Sequence, residues 1–348
     1  MKINLFANVV TKLIISSASL LIIAQPNYAQ KIDNNNRENN QAQITEYTEI
    51  IGLYPRNAEA YYNRGNIYAQ MKNYDQAIAD YNSAIYLYLN YGETNISRRT
   101  TEYLPTSDSE YVRFNPDLER VYFDRATTYY SLGNYENAIA DYSTVIRLNL
   151  GNEQAYYNRG LALYNAKEYD KAIADYTQVI SLNPNRLRVY NSRARAYQRL
   201  AQYDQAIADY SQVIKANSQN VEAYQNRAQL YISLGQYDQA IADYGQIISL
   251  NPNNPEGYYN RAEIYDDLKQ YNKAIADYNK IIKLNPQNAK AYYQRGLYYS
   301  YLENQDQAIA DFKIAANLYE EANEVNKHQN VLNELAKLAP PEIEKPNN

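Results

Sequence analysis

Cysteine and tryptophan are absent from the 348 residues, and there is a single histidine, His328. Without cysteine the chain can form no disulfide, no thiolate metal site and no thiol redox centre. That absence fits any cellular compartment. Glycine is scarce, with ten residues, and none sits in a phosphate-cradling loop or a nucleophile elbow. Near His328 the sequence offers only surface-helix acids such as Glu321 and Glu324, which is not the spacing of an acid–base or metal site. No motif supports an enzyme, and no cofactor or metal is expected. A basic surplus is missing too: 34 Lys and Arg against 39 Asp and Glu give a formal net charge of −5. Nucleic acid is usually met by a clustered basic surface, so it is not expected as a partner.

Long apolar runs are also lacking, with one exception. Lys2 and Lys12 precede Leu13–Ala24, which is followed by Gln25-Pro26-Asn27-Tyr28-Ala29-Gln30. Twelve residues make a helix of roughly 18 Å, short of a ~30 Å hydrocarbon core. Residues 1–29 therefore read as a signal peptide cleaved after Ala29, with Ala24 as the alternative. An uncleaved anchor and a non-exported chain are the rival readings. No cysteine follows the run, so a lipid-modified N-terminus is excluded. Loss of Lys2 and Lys12 would take the charge from −5 to −7. The expected location is a periplasm, a lumen or the exterior. Residues 30–42 read as a flexible polar leader.

Tyrosine is abundant, with 42 residues against four phenylalanines. Its apolar ring and polar tip suit half-buried helix faces and interfaces. Many of these tyrosines fall in a repeat. Ala-Ile-Ala-Asp-Tyr or a close variant occurs at 77–81, 138–142, 172–176, 206–210, 240–244, 274–278 and 308–312. The interval is 34 from the second copy onward, and the first interval of 61 is 34 lengthened by 27. Such self-similarity marks a stacked array of supersecondary units.

With the unit begun at Ala58, Tyr61, Gly65 and Tyr68 share a helical face in its first half. Tyr74, Ala77, Ile78, Tyr81, Ala84 and Leu87 do so in its second. Between the halves, Met71-Lys72-Asn73 becomes Leu132-Gly133-Asn134 and Leu234-Gly235-Gln236, where glycine stops a helix. Pro55, Pro184, Pro252 and Pro286 close their units. Small residues at Gly65, Ala126, Gly160, Ala194, Ala228, Ala262 and Gly296 oppose Ala77, Ala138, Ala172, Ala206, Ala240, Ala274 and Ala308. They predict helical hairpins whose two backbones approach closely.

This register resembles the tetratricopeptide repeat family, over 58–91 and 119–322, with the Asn-Arg-Gly and Ile-Ala-Asp-Tyr flavour of exported bacterial, cyanobacterial-type members. The resemblance implies an all-α, right-handed superhelical solenoid of antiparallel helix pairs with a concave groove lined mainly by the first helices. It also implies a role in holding protein partners. The expected organisation is a capping helix at 43–57, repeat one at 58–91, an inserted loop at 92–118 and repeats two to seven at 119–322. A C-terminal capping helix at 323–339 and a disordered tail at 340–348 complete it. The insertion is long enough to be functional in its own right.

Every first helix carries an arginine: Arg64, Arg125, Arg159, Arg193, Arg227, Arg261 and Arg295. Every second helix carries an aspartate: Asp80, Asp141, Asp175, Asp209, Asp243, Asp277 and Asp311. A ligand-binding charge ladder is one reading. The favoured one is a structural ion-pair ladder, because a special site is local and this feature is everywhere. By resemblance, the groove takes the second, fifth, ninth, twelfth and thirteenth places of the unit. There lie Tyr62, Phe123, Tyr130, Tyr157 and Tyr164, the basic set Arg188, Arg195 and Arg199, the acidic set Glu263, Asp266 and Asp267, and Tyr259 and Tyr293. The family's chaperone-tail receptors use lysine at the fifth place, and none occurs here. The expected function is a non-catalytic scaffold or assembly factor binding a protein or peptide segment. A self-associating or membrane-surface module and a glycan-presenting accessory are the alternatives.

Overall fold

The computed structural model describes residues 26–91, 103–104, 112–113 and 116–338. The apolar run Leu13–Ala24, most of the insertion and the tail from residue 339 lie outside the described residues. Sixteen helices occupy the described chain, in two compact units that meet in sequence at Asn183 and Pro184.

The first unit contains α1 (Pro26–Leu53), α2 (Ala58–Gln70), α3 (Tyr74–Tyr91), α4 (Pro116–Ser131), α5 (Tyr135–Leu148), α6 (Glu153–Asn165) and α7 (Tyr169–Leu182). The second contains α8 (Leu187–Arg199), α9 (Tyr203–Ala216), α10 (Val221–Ser233), α11 (Tyr237–Leu250), α12 (Pro255–Asp267), α13 (Tyr271–Leu284), α14 (Ala289–Tyr301), α15 (Gln305–Glu321) and α16 (Val325–Leu338). Each unit is a tandem of antiparallel helix pairs in which sequential neighbours pack on one another.

Local chemistry sets the ends of these helices. Asn57, Asn152, Asn220 and Asn288 cap first helices by accepting a hydrogen bond from the N–H three residues on, and Asn254 accepts from Glu256. Asp75, Glu136, Asp170, Asp204 and Asp238 place an acid in the first turn of a second helix, where the helix dipole favours it.

The close approach of paired helices is built from small residues and rings. At Gly160 an added methyl would stand 2.6 Å from the Tyr176 ring, and at Gly296 2.8 Å from Phe312. Gly65 holds the same place against Tyr81, at 3.0 Å. Alanine fills it in the other four repeats, and Ala126, Ala194, Ala228 and Ala262 are completely buried. The second-helix rings Tyr81, Tyr142, Tyr176, Tyr210, Tyr244, Tyr278 and Phe312 are buried as well. Between hairpins the core continues through Val145 and Ala155 in the first unit, and through Val213 and Ala223 in the second.

Several boundaries differ from the sequence reading. Residues 30–42 are helical, and α1 ends at Leu53 instead of running to 57. Ile44 is buried where α1 packs on α2, and extending a formed helix costs far less than starting one. Helix α4 begins at Pro116, inside the stretch assigned to the insertion. Within the insertion, Tyr103–Leu104 (β1) pairs antiparallel with Val112–Arg113 (β2). Helices α3 and α4 pack directly, Tyr81 and Ala84 sharing a core with Leu118 and Val121, so the insertion leaves repeats one and two stacked. The C-terminal helix covers Val325–Leu338 and buries Val331 against Phe312 and Tyr319. No helix among the described residues is long and apolar enough to cross a membrane.

The turn inside each hairpin corrects the glycine expectation. One residue there has positive φ in all seven repeats: Lys72, Gly133, Lys167, Ala201, Gly235, Lys269 and Glu303. The flanking bonds are those of a Schellman closure. Thus Ala201 N–H donates to the Gln198 carbonyl at 3.1 Å, and Gln202 N–H to Tyr197 at 2.9 Å. Glycine fills two of these turns, while side-chain-bearing residues fill five because the stacked hairpin imposes the geometry. A left-handed residue with a Cβ costs about 1–2 kcal/mol, and glycine's extra unfolded-state freedom returns about half of that. Ala201→Gly should therefore stabilise the chain by about 0.5–1 kcal/mol, and Gly235→Ala should destabilise it by a similar amount. Chemical denaturation of the two variants checks the opposite signs.

Candidate functional site

A first helix has to serve two faces, and the side chains divide accordingly. One face carries the repeated arginine. Arg125 binds Asp141 through Nε at 2.7 Å and through Nη2 at 2.7 Å, and Arg227 holds Asp243 at 2.9 and 2.6 Å in the same fork. All seven pairs share this bidentate geometry. The aspartate side chains are 4–9% exposed and the arginines 16–23%. The pairs are thus nearly buried on the carboxylate side and open at the rim of the guanidinium. Removing one partner of such a pair costs about 3–5 kcal/mol. The Asp175 carboxylate, hydrogen-bonded to Arg159, raises that guanidinium's pKa above its ordinary value, against the opposing effect of burial.

Two further contacts fix most of these guanidinium groups. Tyrosines three residues before and four after lie on the same stripe of the helix, except after Arg159, where the place is Leu163. Arg227 sits 5.7 Å from the ring centres of both Tyr224 and Tyr231, and Arg193 5.8 Å from both Tyr190 and Tyr197. The remaining Nη1 reaches back to the preceding second helix. Arg64 donates to Thr48, Arg159 to Ser143 and Arg227 to Ser211, each 16 residues away and at 2.9–3.0 Å. Arg125 reaches Asn82 across 43 residues, the same 16 lengthened by the 27-residue insertion. The residue 16 before Arg261 is Gly245, which offers no side chain. Each arginine therefore joins its own hairpin and, in these repeats, the hairpin before it.

The other face carries the residues that differ between repeats. In the first unit Phe123 and Tyr157 rest half-buried on second-helix rings, 5.5 Å from Tyr142 and 6.0 Å from Tyr176. Tyr130 and Tyr164 lie 5.6 Å from Tyr135 and 5.3 Å from Tyr169. Asn165 donates to the Tyr130 hydroxyl at 2.8 Å, and Asn158 to Tyr142. Burial pushes the Tyr130 and Tyr142 phenols above the usual tyrosine range. A depression of about 370 Å³ adjoins Phe123, lined also by Glu119, Arg120 and Gln154.

Tyr62 departs from the expected groove set, because it is buried. Its hydroxyl donates to Asp124 at 2.6 Å, and the Arg120 guanidinium lies 4.4 Å over its ring. Arg120 also pairs with Glu59 at 2.9 Å, and Tyr88 donates to the same carboxylate. Burial pushes the Asp124 carboxyl above the usual range, opposed by the Tyr62 hydroxyl and Arg120. This network closes the seam between repeats one and two. Its signal was present in the sequence: the sixth place holds Asn63, Asn158, Ser192, Asn226, Asn260 and Gln294 elsewhere, and an acid only at Asp124.

In the second unit Arg188, Arg195 and Arg199 are exposed on α8. Glu263 and Asp267 are exposed on α12, and Asp266 is half-buried near the Tyr298 phenol. Tyr259 is half-buried, accepting a hydrogen bond from Asn288 at 2.7 Å with the Lys290 ammonium 5.2 Å over its ring. Tyr293 packs on the core shared with Leu335 and Leu338 of α16, so the terminal helix covers part of the last repeat's face. The Asn191 carboxamide oxygen, between Arg188 and Arg195 on α8, is enclosed without a hydrogen-bond partner. Among the described residues no His, Asp and Glu side chains converge as metal ligands, and His328 lies partly exposed on α16.

Tetratricopeptide repeat family models match residues 58–91, 153–186, 255–288, 200–242 and 277–310, and TPR repeat models match 126–167 and 228–268. Together these cover more than half of the chain. Among solved structures, the C-terminal part of a TPR repeat-containing protein from Cytophaga hutchinsonii is 20% identical. It covers 74% of this chain and 95% of its own, with a TM-score of 0.55, and shows the same fold. The MamA protein is 24% identical over 49% of this chain and 94% of its own, with a TM-score of 0.43. YrrB, a TPR protein described as having an unusual peptide-binding site, is 19% identical over 56% and 96%, with a TM-score of 0.43. No match was found among curated proteins.

Proposed function

We propose that this chain, which belongs to the tetratricopeptide repeat family, is a non-catalytic scaffold that binds a partner polypeptide on the first-helix faces. The observation that supports this is the division of labour within each first helix. The arginine, its aspartate and its flanking tyrosines recur in nearly every repeat and hold the hairpins together. The opposite face changes from aromatic on α4 and α6 to basic on α8 and acidic on α12. Framework positions that repeat cannot encode a partner, whereas positions that differ can. Half-buried rings such as Tyr157 and Tyr164 offer large, rigid contact area at little conformational cost, which is the chemistry of interface anchors.

Export is a further part of the proposal, supported by Lys2, Lys12 and the run Leu13–Ala24. N-terminal sequencing of the native protein should find a chain beginning near Gln30, and an abundant form that retains Met1 contradicts export.

A displayed library of random peptides tests the binding reading without a known partner. Selection on the purified chain should enrich peptides that bind Tyr157→Ala and Tyr164→Ala at least about tenfold more weakly. Circular dichroism establishes that both variants are folded. Enriched peptides indifferent to both substitutions, or no enrichment, contradict the first-helix face as the binding surface.

A further inference from the structure

Arg188, Arg195 and Arg199 are seven and four residues apart, which puts them on one stripe of α8. Two first helices further on, Glu263, Asp266 and Asp267 form an acidic patch on α12. Among the described residues Arg195, Glu263, Asp266 and Asp267 make no ion pair, although both signs occur in one unit. Between them, α10 offers Gln225, Gln229, Ile232 and Ser233 at the matching places, with Glu222 the only charge. First helices of successive hairpins are each packed on the second helix between them, so two steps of at least one packed-helix spacing separate the patches by roughly 16–20 Å or more. That is at least about two Debye lengths at physiological salt, too far for Arg195 and the acids of α12 to satisfy one another. The face thus keeps two opposite poles, and the span between them carries a single charge, Glu222.

Resting on the scaffold reading above, we propose that this face binds a single polypeptide segment carrying an acidic cluster and a basic cluster about six residues apart. An extended chain advances about 3.3 Å per residue, so about six residues are the fewest that cover the span. Carboxylates of the segment meet the guanidinium groups of α8, which favour carboxylates by their forked donor geometry. Its basic side chains meet Glu263, Asp266 and Asp267. A segment with one charge sign, or with adjacent opposite charges, engages one pole and is repelled by or misses the other. Complementary charge of this kind mainly fixes register and association rate.

Labelled synthetic peptides test the spacing directly on the purified chain by fluorescence anisotropy. The probe has three glutamates, a Gly/Ser spacer of about six residues and three lysines. Its counterparts lack the spacer, carry only the glutamates, or replace every charge with glutamine. At about 50 mM salt the spaced peptide should bind at least about tenfold more tightly than each counterpart, with the gap closing toward about 300 mM. Arg195→Glu, at an exposed position, should remove the advantage, and Asp267→Lys should do the same from the other pole. Equal affinity for the spaced and unspaced peptides overturns the inference. So does indifference to both substitutions, or a chain that dimerises by light scattering through these residues and takes no peptide. If library peptides still bind in a Tyr157- and Tyr164-dependent manner, the scaffold reading stands and only the charge spacing falls. If neither experiment shows binding, both readings fall together.

Discussion

Everything else in this molecule depends on a nearly buried aspartate gripped by a bidentate arginine. The carboxylate is stripped of most of its water, and only a partner with two parallel donors replaces that hydration fully. The pair lies between the two helices of a hairpin, so both helices must hold their positions for the fork to close. In several repeats the third guanidinium nitrogen reaches the preceding hairpin, which turns a local pair into a stacking device. Arg125 shows how strongly the device governs the stack, since its contact to Asn82 survives a 27-residue interruption in the chain.

The abundance of tyrosine follows from the same constraint. A guanidinium that is partly withdrawn from water is stabilised by ring faces within about 6 Å of it, and the residues three before and four after it supply them in most repeats. The aromatic ring of the second helix packs on the small residue of the first and fills the hairpin core. Tyrosine serves both places because its hydroxyl finds partners, as Tyr81 does at Asn66 and Tyr210 at Gln198. Once these roles are assigned, the tyrosines of the opposite face stand out as the ones left over. They are candidates for binding because their positions change from repeat to repeat while the framework positions do not.

Much of this was legible in the sequence, and what was not has physical reasons. The 34-residue period, the hairpin pattern and the 16-residue separation of arginine from aspartate are local regularities, visible without coordinates. The tyrosine clamp was equally local, as Tyr-x-x-Arg-x-x-x-Tyr, yet its rings blend into the general apolar face when only periodicity is read. The positive φ of Lys72, Ala201 and Glu303 could not be read from residue type, since stacking imposes a turn that those residues do not favour. Periodicity alone did not show the burial of Tyr62, because its one sequence signal, the acid Asp124 at the sixth place, lies beyond the insertion. The extension of α1 back to Pro26 ran against a polar composition because helix propagation needs little from each added residue.

The central claim is that one set of positions builds the stack and another, on the opposite face, is free to encode a partner. Two aspartates of the second unit separate these roles: Asp243, whose side chain is 5% exposed in its fork with Arg227, and Asp267, exposed on the variable face of α12. Urea unfolding of Asp243→Asn and Asp267→Asn is the most direct measurement. The account predicts that Asp243→Asn lowers the unfolding free energy by about 2–4 kcal/mol, because the guanidinium loses its charged partner. It predicts a change within about 0.5 kcal/mol for Asp267→Asn. A neutral Asp243→Asn, or an Asp267→Asn that destabilises the chain as severely, would contradict it.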